Sequence, residues 1–321
     1  MYRITAAVIL ALSVVASCVA QAVPPGYDAA SFARVGMGVR AQAMGGAFCA
    51  IAQGPTGGYW NPAGLAYLQG FQAEGMYTDW LGAGIDIQYI SLAGYPPIGE
   101  KRPTISLEGR PVKFAATWVS VRVADIPWWE EGGYGTFDAW SHLVIGTCAW
   151  ELSQNPSVSI GANVKFYHDS ILEGKSFGLG WDVGVLWHTQ LFDFPASLAF
   201  VTTDVGDSKI KWYGTTGEPV NYVPWLVRFG LSIETWERRV LVEFSYEWGV
   251  RRPRFERLRA GLELTFDWLA LRAGYDWLLV EPGGRWTAGV GISPWDWLTI
   301  DYALLPGGLG NTYLTVLQMR F

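Results

Sequence analysis

The chain has little charge, cysteine or histidine. Asp, Glu, Lys and Arg make up only 16% of its 321 residues, whereas an average soluble domain contains about 25%. This shortage argues against an ordinary soluble enzyme. Three cysteines and three histidines are too few for a disulfide scaffold or a histidine-built metal centre. We therefore expect no metal and no other cofactor.

Long hydrophobic runs are also missing. Beyond the first two dozen positions no apolar stretch approaches the ~18 residues that a membrane-spanning helix needs, which excludes a bundle of such helices. The net charge of −6 gives nucleic acid no basic surface to bind. What the chain has instead is 50% hydrophobic residues, 39 glycines and 18 tryptophans, so its apolar residues must be spread over short segments.

The first residues are typical of an export signal. Arg3 precedes the apolar stretch 4–15, and Ala20-Gln21-Ala22 is a small-residue cleavage pattern, so residues 1–22 are predicted to be a cleaved signal peptide. A second interpretation takes residues 15–18 as a lipoprotein box that would lipidate Cys18. The other two cysteines, Cys49 and Cys148, are expected to be free thiols.

Residues 71–321 divide into fourteen segments of about ten residues, rich in β-branched and aromatic residues and separated by Gly, Pro, Asn and Asp. Their spans are 71–79, 85–95, 111–123, 142–152, 157–168, 177–188, 196–204, 225–235, 239–248, 258–266, 269–277, 285–293, 297–305 and 312–321. An even number of such strands predicts an all-β protein, an antiparallel transmembrane β-barrel in the cell outer membrane.

Side chains alternate clearly along the segments of the second half. In 239–248, apolar residues share one face and mostly polar residues share the other, as a wall between lipid and a polar lumen requires. The same parity directs charged side chains of both signs into the lumen. They are Arg228, Glu243, Glu247, Arg259, Glu263, Arg272, Arg285 and Asp301. Mixed signs favour an ion-pair network over a selectivity filter, which uses a ring of one sign.

Connections and tryptophans fit the same interpretation. Short links such as 236–237 take turns with long ones at 124–141, 205–224 and 249–257, and most tryptophans fall at segment ends, as in the two aromatic belts of membrane barrels. The last segment carries Leu317, Met319 and Phe321 on one face. This pattern resembles the C-terminal signal that the barrel assembly machinery reads.

Residues 23–70 precede the first strand and do not alternate. They contain Gly45-Gly46 and then Asn61-Pro62-Ala63-Gly64-Leu65, a turn or helix start capped by Asn61. These motifs resemble the N-terminal signature of the FadL-like superfamily of outer-membrane barrels, and most closely its PorV/PorQ branch. The resemblance implies a fourteen-stranded barrel in which this segment folds inward as a hatch.

The resemblance also implies two functions, neither of them enzymatic. FadL-like barrels pass hydrophobic molecules, whereas PorV-like members are partners in type IX protein secretion. Segments 111–123, 142–152 and 196–204 are apolar on both faces, which suits a hydrophobic ligand or, equally, packing against the hatch. His168 and Ser170 are weak candidates for a lipase site. The basic run 251–257 is either an ordinary solvated loop, which is the more common case, or a contact for lipopolysaccharide phosphates, alongside contact of the barrel with outer-membrane lipid.

Overall fold

The structure is a computed structural model, and it describes residues 29–94, 105–107, 109–130, 133–251, 256–279, 283–307 and 310–321. The predicted signal peptide, with Cys18, lies outside the described residues, as does most of the basic run 251–257. The export and lipidation interpretations therefore stay predictions.

Most of the described chain is β-strand. In chain order the strands are β1 (Gln72–Trp80), β2 (Ile85–Ala93), β3 (Ser106–Leu107), β4 (Arg110–Pro111), β5 (Lys113–Glu130), β6 (Gly133–Gln154), β7 (Ser157–Ile171), β8 (Gly174–Leu191), β9 (Phe194–Thr203), β10 (Ser208–Tyr213), β11 (Val220–Val223), β12 (Leu226–Thr235), β13 (Val240–Gly249), β14 (Glu256–Phe266), β15 (Leu269–Leu278), β16 (Gly284–Trp295), β17 (Leu298–Leu305) and β18 (Thr312–Arg320).

Fourteen of these strands form a closed antiparallel barrel, so the predicted fold class and strand number are confirmed. The wall consists of β1, β2, β5 to β9 and β12 to β18, and each wall strand pairs with its neighbours in the chain. Strand β1 pairs with β18, from Gln72 opposite Arg320 to Tyr77 opposite Thr315. We call the end where β1 begins and β18 ends the terminal end, and the other the distal end.

Two connections differ from the prediction. Residues 124–130 and 133–141 are not a loop: β5 and β6 continue through them as a long antiparallel pair, past an irregularity between Val123 and Ile126. The predicted loop was wrong because Pro127 and Gly132-Gly133 are typical turn residues. The predicted loop 205–224 contains the β10–β11 hairpin, which extends the sheet from the distal half of β8. Strand β2 ends and β5 begins at the terminal end, at Ala93 and Lys113, so the segment between them leaves from and returns to that end.

Alternation of side chains is maintained around the wall. On β13, for example, Glu243, Ser245 and Glu247 are buried and point inward, whereas Phe244 is exposed on the outer face. Trp248 pairs with the first residue of β14 at the distal end, and Trp268 lies in the turn at the terminal end. Tryptophans thus occupy both ends of the wall.

Residues 29–70 lie inside the barrel, and we call them the hatch. The hatch has two short α-helices, α1 (Val39–Ala43) and α2 (Gly57–Trp60), and two 3₁₀ turns, Ser31–Arg34 and Pro62–Tyr67. Almost every residue from 36 to 65 is buried. The hatch therefore supplies the core that a small barrel would otherwise fill with wall side chains.

None of the helices in the described ranges is long and apolar enough to cross a membrane.

Candidate functional site

Asn61 joins three parts of the molecule at the centre of the hatch. Its side chain is fully buried; Oδ1 accepts from the Ala63 backbone N–H at 3.0 Å, and Nδ2 donates to the Cys49 carbonyl at 2.9 Å. Nδ2 also lies 3.4 Å from the Val185 carbonyl on β8. Pro62 occupies the first position of the following turn, where its missing N–H costs nothing. Asn61 thus caps the following turn and also holds two hatch segments and β8 together.

The glycines of the hatch motif permit backbone-to-backbone contact. Gly45 and Gly46 have φ of +69° and +77°, which favours glycine. A Cβ on Gly45 would lie 2.6 Å from the Tyr275 nitrogen on β15. A Cβ on Gly64 would lie only 1.7 Å from the Ala52 carbonyl oxygen. Ala63 and Leu65, the other motif residues, are fully buried.

The wall has matching glycines that sequence reasoning did not single out. A Cβ on Gly274 would lie 2.0 Å from the Gly45 nitrogen, and a Cβ on Gly184 would lie 2.1 Å from Oδ1 of Asn61. Other wall glycines that face the hatch in this way are Gly161, Gly230, Gly261 and Gly289. In the sequence these glycines can be found as glycines at inward-facing positions of several wall strands.

Seven of the eight predicted lumen charges hold the hatch or one another in two clusters. In the first, Arg40 of α1 makes a bidentate pair with Glu263, at 2.7 and 2.8 Å. Nε of Arg272 donates to the same carboxylate at 2.6 Å, and its Nη1 reaches Asp301 at 2.6 Å. Bidentate guanidinium contacts fix orientation as well as distance. Arg40 was not among the predicted residues, because the alternation of strand faces does not apply to the hatch.

The second cluster lies closer to the distal end. Nε of Arg228 donates to Glu247 at 2.7 Å, and Arg259 reaches the other oxygen of that carboxylate at 3.1 Å. Asp276 lies 3.5 Å from Arg259 and 4.0 Å from Arg285. The guanidinium of Arg228 also lies over the ring of Trp60 in the hatch. Arg285 is therefore at the edge of this cluster.

Trp60 is the hatch residue that meets the second cluster. The Arg228 guanidinium lies 5.3 Å from its ring centroid and donates to its carbonyl at 3.2 Å. The indole N–H donates to the Met37 carbonyl at 2.7 Å. Its neighbour Tyr59 donates to the Ala33 carbonyl at 2.5 Å, and burial raises the pKa of this phenol to about 12. The phenol therefore remains a hydrogen-bond donor at neutral pH.

Glu243 belongs to neither cluster, although it was predicted to be part of the charge network. Its Oε1 accepts a hydrogen bond from the Ala50 backbone N–H of the hatch at 2.9 Å. Cys49, next to it, is fully buried and is a free thiol, and burial raises the pKa of that thiol well above its ordinary value. Cys148 is free and exposed. Glu243 thus holds hatch backbone rather than a cation.

A third buried cluster was not predicted. Lys165 lies 2.9 Å from Asp182 and 3.0 Å from Asp204, and Tyr167 donates to Asp204 at 2.8 Å. Asp182 also accepts the Asp204 backbone N–H at 2.9 Å. These contacts lie where β8 changes partner from β9 to β10, so they hold the wall together at that junction.

The apolar inner wall is covered by the hatch. Val119, Leu143 and Ile145 pack in one buried cluster with Met37 and Val39. On the other side, Leu186 and Val201 pack with hatch residues 49–50 and 63. The apolar strands were predicted either to contact a hydrophobic ligand or to pack against the hatch. In the closed barrel they pack against the hatch.

The remaining predicted residues lie at the barrel surface. Leu317 and Met319 of β18 and the following Phe321 are exposed on the outer face toward the terminal end. The backbones of Phe321 and Phe71 exchange two hydrogen bonds, at 2.7 and 3.2 Å. Nδ1 of His168 lies 2.8 Å from the Ser176 carbonyl, so this ring nitrogen is occupied by backbone rather than by a serine hydroxyl.

No model of a known protein family matches the chain, and no curated protein matches it in sequence. Solved structures do match it. The toluene transporter TodX of P. putida aligns with a TM-score of 0.54 at 15% identity, over 89% of this chain and 99% of that one. The chain has the fold of the FadL-family barrels. The toluene transporter TbuX of Ralstonia pickettii gives 0.52 at 14% identity over 89% and 98% of the two chains. A FadL homologue of Pseudomonas aeruginosa gives 0.53 at 13%, also over 89% and 98%. The likeness to PorV and PorQ rests on the sequence motif and stays a prediction.

Proposed function

We propose that the chain is a non-enzymatic outer-membrane barrel that passes or captures hydrophobic small molecules. The observation that carries this proposal is the fold, which the chain shares over 89% of its length with two toluene transporters. The barrel fold also supports the outer-membrane location that the signal peptide and the C-terminal residues predict.

The outer face supports the same location. Ten residues of β13, tilted as in membrane barrels, rise about 25 Å, which matches the apolar band of such barrels. Exposed tryptophans at both ends, such as Trp268 and Trp277, have the amphipathic character that favours headgroup level. With both chain termini on the periplasmic side, as in outer-membrane barrels with short periplasmic turns, the terminal end faces the periplasm and the distal end faces outward.

Apolar surface is available to a hydrophobic molecule on the outer wall. A concavity of about 520 Å³ lies there, lined by Trp187, Phe200, Phe229 and Phe244 among others. Its floor includes Gly230, where an added Cβ would come within 2.4 Å of the Cys49 sulfur in the hatch. Only one layer of backbone therefore separates this apolar surface from the hatch. The hatch and its ion pairs occupy the middle of the lumen and leave a cavity of about 520 Å³ at the terminal end, lined by Arg40, Glu74 and Asp301 among others. This arrangement favours controlled passage over free diffusion.

A reversible lock on the hatch tests the proposal. An ideal Cβ on Gly58 of α2 lies 3.4 Å from the Cβ of Thr147 on β6, close to the span of a disulfide. The double variant Gly58→Cys/Thr147→Cys, with Cys148→Ser, can therefore be locked by oxidation. Cells that lack the gene are complemented with it, and uptake of radiolabelled toluene and oleate is measured before and after oxidation.

We expect uptake to fall on oxidation to the level of the deletion strain and to recover on reduction. Wild-type protein treated with the same oxidant is the control and keeps its uptake. Uptake that is equal in the deletion strain and the complemented strain for both compounds contradicts the proposal.

A second candidate function is that of a PorV/PorQ-like partner in type IX protein secretion. Two observations favour it: the hatch motif of residues 61–65 and the β5–β6 hairpin beyond the wall, with Trp129 and Tyr134 exposed. In this case deletion releases cargo proteins from the cell surface and leaves toluene uptake unchanged. Cargo that stays on the surface after deletion contradicts this candidate.

A further inference from the structure

The outer wall carries a second groove, which differs from the first in having positive charge beside it. It has a volume of about 490 Å³ and lies where β8 meets β10. Its apolar lining is exposed on the outer face and consists of Phe166, Phe177, Leu179, Trp181 and Val205. Lys209 forms part of the lining. The groove is thus amphipathic.

Lysines cluster next to the groove because of strand pairing. Lys209 is opposite Leu179, and Lys211 is opposite Phe177. Lys175 is opposite Tyr213 on the same pair of strands, and all three lysines are exposed on the outer face. Residues opposite or diagonal to each other on one sheet face lie within reach of long side chains. Lys211 is diagonal to Lys175 and two residues from Lys209. Lys175 and Lys209 are offset by four residues along the strands, about 13 Å, so their long side chains contact one ligand by extending toward each other.

Most of this charge is not neutralised locally. Lys211 lies 3.3 Å from Glu218, and the carboxylate of Asp207 in the groove lining lies 2.9 Å from Arg251. Among the described residues, the side chains of Lys175 and Lys209 have neither an ion pair nor a hydrogen bond. A net positive surface thus borders an apolar groove.

The height of the groove on the wall agrees with the headgroup level. Along β8, Leu179 lies eight residues and Lys175 twelve residues beyond Trp187 of the terminal aromatic belt. With a rise of ~3.3 Å per residue and a tilt of ~40°, these positions are about 20 and about 30 Å above that belt. The apolar band of a membrane barrel is about 25 Å tall, so Lys175 lies just beyond its outer edge. Lys209 is opposite Leu179 and lies just inside that edge, from where its long side chain can extend outward to the headgroup level.

We propose that this groove is a site for a membrane lipid with a phosphate-bearing, net-negative headgroup. One acyl chain lies along Phe166, Leu179 and Trp181, and the phosphate contacts Lys175 and Lys209. The inference rests on the outer-membrane location in the proposed function, but it concerns a structural lipid rather than a transported compound.

A matched pair of lipids tests the site. Dioleoyl phosphatidic acid and dioleoylglycerol have the same chains and differ by the phosphate. Each is added to the detergent-solubilised full-length mature protein, and bound lipid is counted by native mass spectrometry. We expect phosphatidic acid to bind at least about tenfold more tightly, since each membrane-facing cation near a phosphate contributes on the order of 1 kcal/mol.

Variants separate the charge from the groove. Lys175→Gln/Lys209→Gln lowers phosphatidic acid affinity by about tenfold, and Val205→Trp, which fills the groove, lowers it without a change in charge. The matched control is Arg238→Gln/Arg239→Gln, which removes two exposed cations at the terminal end and leaves binding unchanged. Folding of each variant is checked by the heat-dependent shift in gel mobility.

Three outcomes overturn the inference: equal binding of the two lipids, an effect of the control equal to that of the lysine variant, or displacement of the lipid by inorganic phosphate alone. Failure of the proposed function is distinguished by fractionation. A chain that does not reach the outer membrane contradicts the proposed function, whereas a correctly inserted barrel with no lipid preference contradicts only this inference.

Discussion

The hydrogen bonds of Asn61 predict a measurable effect on hatch opening. Asn61→Ala removes the acceptor for the Ala63 N–H and the donor to the Cys49 carbonyl, and the Asn61 side chain is fully buried. Loss of a cap costs about 1 kcal/mol, and a buried carbonyl left unpaired costs about 1–3 kcal/mol. The hatch should therefore be less stable in its closed position by about 2–4 kcal/mol.

The Cys49 thiol reports that change. It is fully buried and its pKa is raised by burial, so a small alkylating reagent should reach and react with it only when the hatch opens. A destabilisation of about 2–4 kcal/mol accelerates labelling by a factor of about 30 to about 1000. The rate is followed by peptide mass spectrometry at several reagent concentrations.

Two controls belong to the experiment. Cys148 is exposed and should react at the same rate in all variants. Asn221→Ala, a matched change on β11, should leave the Cys49 rate as in wild type. An unchanged Cys49 rate in Asn61→Ala would refute the reasoning that Asn61 fastens the hatch. Equal acceleration in both variants would show that labelling reports general loosening.

Three further predictions use other parts of the structure. Gly274→Ala should lower the free energy of unfolding by about 1–3 kcal/mol through overpacking against the hatch backbone, whereas Gly146→Ala, with no atom within 4 Å of its added Cβ, should be neutral in urea titrations. Glu263→Gln should lower the free energy of unfolding, followed through the thermal midpoint, by up to about 3–5 kcal/mol, because it deprives both the buried Arg272 and the partly exposed Arg40 of their carboxylate partner. The pKa of Asp138 is lowered, chiefly by its hydrogen bond from Arg122. The resulting stabilisation is present above the ordinary value of 3.8 and is lost as pH falls below it. Acidification to about pH 2 should therefore loosen the β5–β6 hairpin, detected by tryptophan fluorescence, and Asp138→Asn should remove this pH dependence.

The fold was predictable because its main signal is local. A wall strand alternates between two environments at every residue, so Phe244 beside Glu243 and Ser245 indicates both the strand and its orientation from sequence alone. Turn residues such as Asp267 mark the ends. Where strong turn residues occur inside a strand, as at Pro127, local reading fails because pairing with β6 outweighs local preference.

The candidate site was predictable in composition but not in connectivity. Parity placed Glu243 and Glu263 in the lumen, yet Glu263 binds the hatch residue Arg40 and Glu243 binds the Ala50 backbone. These contacts join residues roughly 200 positions apart, and nothing in the pattern of a single strand specifies them. The same holds for Gly274. A side chain is excluded at this position only because the backbone of the hatch lies against it.

The sequence by itself determined strand number, the two faces of the wall and the segment that does not belong to it, because period-two alternation and turn chemistry are properties of neighbouring residues. The tertiary structure decided how the barrel is filled, which charges pair and where β8 changes partner. These features depend on which surfaces meet across the lumen, and that distance is set by barrel closure rather than by any local stretch of chain.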